Sequence, residues 1–129
     1  MIIKQEQFIP KDTVETTIDL LIRNLTTIKD NTGEFLLDFD GLKVDDKSWT
    51  IWNWPQGVGL YGIYKNYRNT KSEKALQVVN DWFEGRMQEG ALPKNVNTMA
   101  PLLTMAYLYE DTKDSKYIPY LEQWAEWVM

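Results

Sequence analysis

The chain has 129 residues, 43% of them hydrophobic and 13% aromatic, which predicts a folded globular core and excludes a disordered chain. A net charge of −5 argues against nucleic acid as a partner, because phosphate binding draws on a basic patch. With no cysteine and no histidine there is no disulfide, no thiolate or imidazole metal site and no histidine general base. The opening MIIKQEQFIPKD lacks the apolar stretch of a secretory signal, and no run of about 18 apolar residues is present to span a bilayer. A cytoplasmic protein with no membrane partner is therefore expected.

The first predicted element is an amphipathic helix over residues 11–28. Val14, Ile18, Leu21, Ile22 and Leu25 recur at spacings of three and four, and Asp12 or Thr13 is the expected cap. A long connection follows over residues 29–52, punctuated by Gly33 and Gly41, with an apolar run Glu34-Phe35-Leu36-Leu37 that suits a short strand or hairpin arm. Its carboxylates Asp38, Asp40, Asp45 and Asp46 cluster, and the fragment Asp38-Phe39-Asp40-Gly41 hints at a calcium loop. The further ligand spacing and the closing glutamate are missing, so a solvated acidic turn is the better reading.

From Pro55 the chain is helical again and repeats itself. A shift of 42 positions places Leu60 on Leu102, Tyr67 on Tyr109, Lys71 on Lys113 and Trp82 on Trp124, and it sets Asn53 on Asn95 in the loops leading in. Ser72 meets Asp114, a helix-capping residue in both copies. Each copy is read as a helical hairpin. The first helix of each is apolar on nearly every side, from Gly57, Val58, Gly59, Leu60 and Gly62 in one to Pro101, Leu102, Leu103 and Met105 in the other. A helix apolar all round is expected to be buried all round. The glycines then serve close packing, at a propensity cost of about 1 kcal/mol each. The second helices are amphipathic, carrying Leu76, Val79, Trp82 and Phe83, then Ile118, Leu121, Trp124 and Val128. Alternating inner and outer helices predict an all-α fold, either a solenoid or a closed α/α toroid. Because Trp127-Val128-Met129 ends without a glycine or proline stop, the 129 residues are expected to be the N-terminal portion of one larger domain continuing beyond Met129. Self-association of this piece through its uncovered apolar faces is expected as well.

Polar and aromatic groups concentrate in the loops before the two inner helices: Trp49, Trp52, Asn53, Trp54 and Gln56 in one, Asn95, Asn97 and Thr98 in the other. Two readings stand side by side. Indole faces stack on sugar rings, and amides both donate to and accept from hydroxyls, which suits a carbohydrate cleft. Alternatively the tryptophans plug the end of the core, and Asn95 and Thr98 cap a helix. Asp111 and Asp114 fall in an inter-helix turn, where capping explains them, and Glu110, Glu122 and Glu126 read as surface charge. No pair of carboxylates forms an acid/base couple.

The stretches IWNWPQGVGLYGIYK and PKNVNTMAPLLTMAYLYEDTKDSKYI closely resemble the unsaturated rhamnogalacturonyl hydrolases of glycoside hydrolase family 105, and more distantly the unsaturated glucuronyl hydrolases of family 88. The resemblance covers about residues 12–129 and implies the N-terminal third of a six-hairpin (α/α)6 barrel. It implies release of a terminal 4,5-unsaturated galacturonic acid from short pectic rhamnogalacturonan oligosaccharides by hydration of the double bond, in place of the usual two-carboxylate scheme. No metal or other cofactor is implied. The family's principal catalytic aspartate lies in a Trp-Asp-Asp-Thr type motif that these residues do not contain, so no catalytic residue is assigned here and the piece alone is expected to be inactive. A second aspartate of some members falls at Asn97, which hydrogen-bonds but does not transfer protons as a carboxylate does. The substrate-binding assignments carried by the resemblance are Trp52, Trp54, Gln56, Asn95 and Asn97. The rival readings are a non-catalytic carbohydrate-binding scaffold and a helical-repeat protein-interaction module.

Overall fold

The computed structural model describes residues 8–89 and 93–129; residues 1–7, part of the stretch read for a signal sequence, lie outside it. Five α-helices and one two-stranded hairpin follow in the order α1 (Lys11–Thr27), β1 (Leu36–Phe39), β2 (Leu42–Asp45), α2 (Trp54–Thr70), α3 (Glu73–Glu89), α4 (Pro101–Thr112) and α5 (Ile118–Val128). A 3-10 turn, Ser115–Tyr117, leads into α5.

Helix α1 starts earlier than its expected caps. Pro10, not Asp12 or Thr13, stands at the cap position, and its carbonyl accepts from the Thr13 and Val14 N–H groups at 3.1 and 3.2 Å. Proline has no N–H to carry the helix backwards, so the first turn closes onto it. The expected apolar face forms, but Ile18, Ile22 and Leu25 are only half-buried, and Leu21 is 62% exposed.

The acidic connection folds into the β1–β2 hairpin. Leu36 pairs with Asp45, Leu37 with Val44 and Asp38 with Lys43 in antiparallel register. Asp40 and Gly41 make the turn with φ of 53° and 90°, the two positive values that a two-residue hairpin loop of this hand requires. The Asp38 carboxylate accepts from the Gly41 N–H at 2.7 Å, so this aspartate stabilises its own turn. At the root, Asp30 accepts from the Thr32 and Phe35 N–H groups, and these bonds hold its carboxyl below the usual carboxylate range. The Lys47 ammonium lies 3.5 Å over the Phe35 ring.

The repeat is visible at atomic detail. Helices α2 and α4 both end on a lysine in the left-handed conformation, Lys71 at φ 59° and Lys113 at φ 55°. Each donates its N–H back to a tyrosine carbonyl, Tyr67 at 2.7 Å and Tyr109 at 2.8 Å, and each folds its ammonium over that same tyrosine ring. A non-glycine residue in this region costs about 1 kcal/mol or more, and the recovered carbonyl and cation–π contact offset it. Ser72 and Asp114 then cap the next helical segment of each copy, accepting from Ala75 and Lys116. The repeat is not perfect: α4 begins six residues after Asn95, whereas α2 begins directly after Asn53.

Helix α2 packs against both α3 and α4, and α4 against α5. Leu60, Tyr64, Val79, Phe83, Met105, Leu108 and Tyr117 are almost completely enclosed. Trp82 and its repeat mate Trp124 are each 4% exposed. Gly57 and Gly59 do serve close approach: a Cβ on Gly57 would lie 2.7 Å from the Ala100 backbone, and one on Gly59 would lie 2.5 Å from Leu25. Gly62 does not, since a Cβ there would meet nothing within 4 Å. The inner helices are likewise not buried all round. Val58, Leu103 and Trp54 are more than half exposed, because no described element packs on that side.

Candidate functional site

Of the three tryptophans between Trp49 and Trp54, Trp49 and Trp52 are buried at 9% and 7%, and only Trp54, the first residue of α2, is exposed. Trp52 packs tilted on Trp82, edge-on to Phe83 and stacked on Tyr120, with centroids 5.3, 6.0 and 6.4 Å away. Each buried indole must place its N–H. Trp52 donates to the Thr98 carbonyl at 2.6 Å, and Trp82 donates to the Trp49 carbonyl at 2.5 Å. The first bond ties the loop before α2 to the loop before α4, and the second ties it to α3. Arg86 adds a third tie from α3 by donating to the Thr50 carbonyl.

Beside this aromatic plug lies a pocket of about 140 Å³ at the N-terminal mouth of the inner helices. Its polar wall is made by Asn53, Asn95, Asn97 and Thr98, and its apolar wall by Leu37, Ile51, Trp52 and Pro93. Asn53 is held twice: its Oδ1 accepts from the Trp54 N–H at 2.9 Å, and its Nδ2 donates to Asp46 at 3.1 Å. Asn95 and Thr98 brace each other. The Asn95 Oδ1 accepts from the Asn97 and Thr98 N–H groups at 2.8 and 3.1 Å, while the Thr98 hydroxyl accepts from the Asn95 N–H at 3.0 Å. This reciprocal arrangement is a capping box in form. Asn97 is exposed, and its side-chain amide has no partner among the described residues.

Of the five residues assigned from the sequence, Trp52, Asn95 and Asn97 border this one pocket, and Trp54 and Gln56 stand outside it. Trp54 is 53% exposed on the open side of α2. Gln56 is buried at 2%, donating Nε2 to the Ser48 carbonyl at 2.7 Å and leaving its Oε1 without a protein partner. The tryptophan plug and the polar cleft are therefore adjacent features of one mouth, with Trp52 common to both. Leu37, Ile51 and Pro93 carry no sequence signal as site residues; only the fold of the hairpin brings Leu37 to the pocket. Asn53 is marked in the sequence by its correspondence with Asn95.

Two larger hollows, of about 390 and 550 Å³, are apolar troughs along α2, one against α1 and one against α4. The first has Lys65, Asn66 and Asn69 along one border, and the second is lined by Val58, Tyr61, Val96, Met99, Leu102 and Leu103. At the far end of the inner helices the chemistry is closed. The Tyr64 hydroxyl donates to Asp111 at 2.5 Å, and Arg68 bonds both, at 3.1 and 2.7 Å. Asp111 is thus a clamp between α2 and α4 and not the turn cap expected of it, because the last turn of α4 points its carboxylate at Tyr64. The hydrogen bond from Tyr64, with help from Arg68, holds the Asp111 carboxyl below its usual range, while burial and Asp111 push the Tyr64 hydroxyl up.

The sequence model of Glycosyl Hydrolase Family 88 matches residues 27–129. The chain belongs to that family. It is 28% identical over 78 residues to the unsaturated rhamnogalacturonyl hydrolase YesR of Bacillus subtilis, a match covering 60% of this chain and 23% of that protein. Two solved structures described as possible members of the GH105 family superpose with TM-scores of 0.91. One, from Salmonella enterica serovar Paratyphi A, is 49% identical over 97% of this chain and 33% of its own; the other, from Klebsiella pneumoniae, is 46% identical over 98% and 34%. The chain therefore spans about a third of those structures, and its helical hairpins form part of the family's (α/α)6 barrel.

Proposed function

We propose that the family 88 protein to which these residues belong is a glycoside hydrolase that removes the terminal 4,5-unsaturated galacturonic acid from rhamnogalacturonan oligosaccharides by hydrating its double bond. The observation that carries the reading is the open Asn97 amide beside Trp52 in a pocket that Asn53 and Asn95 also border, in a chain similar to an unsaturated rhamnogalacturonyl hydrolase. Amides paired with an apolar wall suit a ring that carries hydroxyls on its edge and C–H groups on its face.

In this proposal the described residues bind and orient. Asn95 is preorganised by its backbone bonds, and Asn97 offers its amide to a substrate hydroxyl. Proton transfer belongs to a carboxylate of the Trp-Asp-Asp-Thr type supplied by further sequence, since Asn97 does not deliver a proton. The same further chain, as more helical hairpins, would cover the two apolar troughs along α2, and the 129 residues alone would bind weakly, turn nothing over and self-associate. Action in the cytoplasm, without a membrane partner, completes the proposal; no described helix is long and apolar enough to cross a membrane.

The test is to express the complete reading frame and follow the ultraviolet absorbance of the double bond on an unsaturated galacturonyl–rhamnose disaccharide. Loss of absorbance with release of rhamnose is expected. Binding without turnover would overturn the enzymatic reading in favour of a carbohydrate-binding scaffold, and neither binding nor turnover would remove the substrate.

A further inference from the structure

We propose that Arg86 is a positioning residue of the mouth: by holding the Thr50 carbonyl from α3, its guanidinium sets the place of Ile51, Trp52 and Asn53 in the pocket. This rests on the substrate reading above and adds a residue that acts on binding without touching the ligand.

The backbone ahead of α2 is irregular, so its carbonyls are not taken up by a helix or sheet ladder and need donors from elsewhere. Three consecutive carbonyls are met by side chains. Gln56 donates to the Ser48 carbonyl at 2.7 Å, Trp82 donates to that of Trp49 at 2.5 Å, and Arg86 donates to that of Thr50. Trp82 and Arg86 stand one turn apart on α3, so one face of that helix grips two successive peptide units. The next three residues, Ile51, Trp52 and Asn53, all border the pocket. Trp52 in turn donates to the Thr98 carbonyl, so the placing of this backbone reaches both walls of the mouth.

The cation itself marks the role. The Arg86 side chain is 13% exposed, and taking a guanidinium that far out of water is costly unless it is paired. One of its nitrogens bonds Thr50, and another pairs with Glu89 at 2.7 Å, three residues on along α3. The planar fork lets a single side chain hold a carboxylate and a carbonyl at once, which the point charge of a lysine does less well. The helix alone does not call for this residue, since the corresponding position of the second copy is Val128. Trp82 and Gln56 make comparable bonds but are buried at 4% and 2%, so their replacement would disturb the fold as well as the loop. Arg86 is the grip that can be released with the aromatic core left in place.

The experiment measures kcat and KM of the complete enzyme on the unsaturated galacturonyl–rhamnose disaccharide for wild type, Arg86→Met, Arg86→Lys and Arg86→Ala. All four are compared at a temperature where circular dichroism shows them folded. Arg86→Met is expected to raise KM roughly tenfold with kcat within about twofold, because a loosened wall weakens ground-state and transition-state binding alike. Arg86→Lys should recover part of that loss. Guanidinium ion at low concentration should lower the KM of Arg86→Ala in a saturable way and leave that of wild type unchanged. A purely structural tie would lower the melting temperature and leave KM where it is; that result would overturn the role of Arg86 with the substrate reading intact. Binding without turnover in wild type would overturn the enzymatic reading alone; the same tenfold shift, read in Kd, would then support Arg86 and its absence would overturn it. A wild type that neither binds nor cleaves the disaccharide would overturn both.

Discussion

The two ends of the inner helices are built from similar materials and left in opposite states. At the C-terminal end, Tyr64, Arg68 and Asp111 satisfy one another, and Lys71 and Lys113 fold back over Tyr67 and Tyr109. At the N-terminal end, Asn53 and Asn95 use their carbonyl oxygens to hold backbone N–H groups, and Asn97 keeps an amide open toward the pocket. Polarity alone therefore does not mark a site. A polar cluster whose members bond one another across two helices, as Tyr64, Arg68 and Asp111 do, is a structural clamp. One with unused hydrogen-bonding capacity beside an apolar wall is equipped for a ligand.

The largest loss is expected at the mouth's aromatic support. Trp52→Ala removes a buried ring and the indole tie between the two loops, and it should cost about 3–5 kcal/mol in chemical denaturation. If it costs less than about 1 kcal/mol, the mouth is not held by this plug and the contrast between the two ends fails.

The glycines set the covered side of one helix against its open side. Gly57→Ala pushes a methyl into the Ala100 backbone and should destabilise by about 1–3 kcal/mol. Gly62→Ala meets nothing and should stabilise the same chain by up to about 1 kcal/mol through helix propensity. Thermal melts of both variants check the pair; equal effects would contradict the close approach at Gly57.

At the clamped end, Tyr64→Phe removes the hydroxyl that Asp111 accepts and should cost about 1–2 kcal/mol near neutral pH. The sign with pH is set by the depressed Asp111 carboxyl. Its stabilisation is present above the ordinary aspartate value of about 4 and is lost as the pH falls through the lower folded value. The gap between wild type and Tyr64→Phe should therefore narrow on acidification, measured by denaturation at a series of pH values. A gap that widens in acid would show that Asp111 is not the partner that matters.

The smallest effect on stability is expected at the open end. Asn97→Ala should change stability by less than about 0.5 kcal/mol, because its side chain holds nothing among the described residues. In the complete enzyme it should raise KM by about tenfold, the value of one hydrogen bond to substrate. A fall in stability without a change in KM would turn Asn97 into another clamp.

The 42-residue repeat is legible because its features are local. A left-handed lysine after a helix, a capping Ser72 or Asp114 and an aligned Trp82 and Trp124 each act within a turn or on one helix face, so they leave a periodic trace. Asn95 and Asn97 are legible for the same reason, since they precede an inner helix in a loop that the repeat marks. Trp54 and Gln56 sit in that same motif yet fall outside the pocket, because their directions are set by the helical rotation of α2 and by what packs on it. Sequence alone was enough to establish the helical hairpins, their order and the asparagine-bearing loops at their mouths, all of which arise from short-range periodicity and capping. Tertiary packing was needed to establish that Trp52 both supports the core and borders the pocket, that Asp111 is held by Tyr64 and Arg68, and that Leu37 reaches the asparagines from a distant hairpin. These depend on contacts between segments far apart in the chain, where the packing of one helix on another, and not the spacing of residues within either, sets which side chains meet.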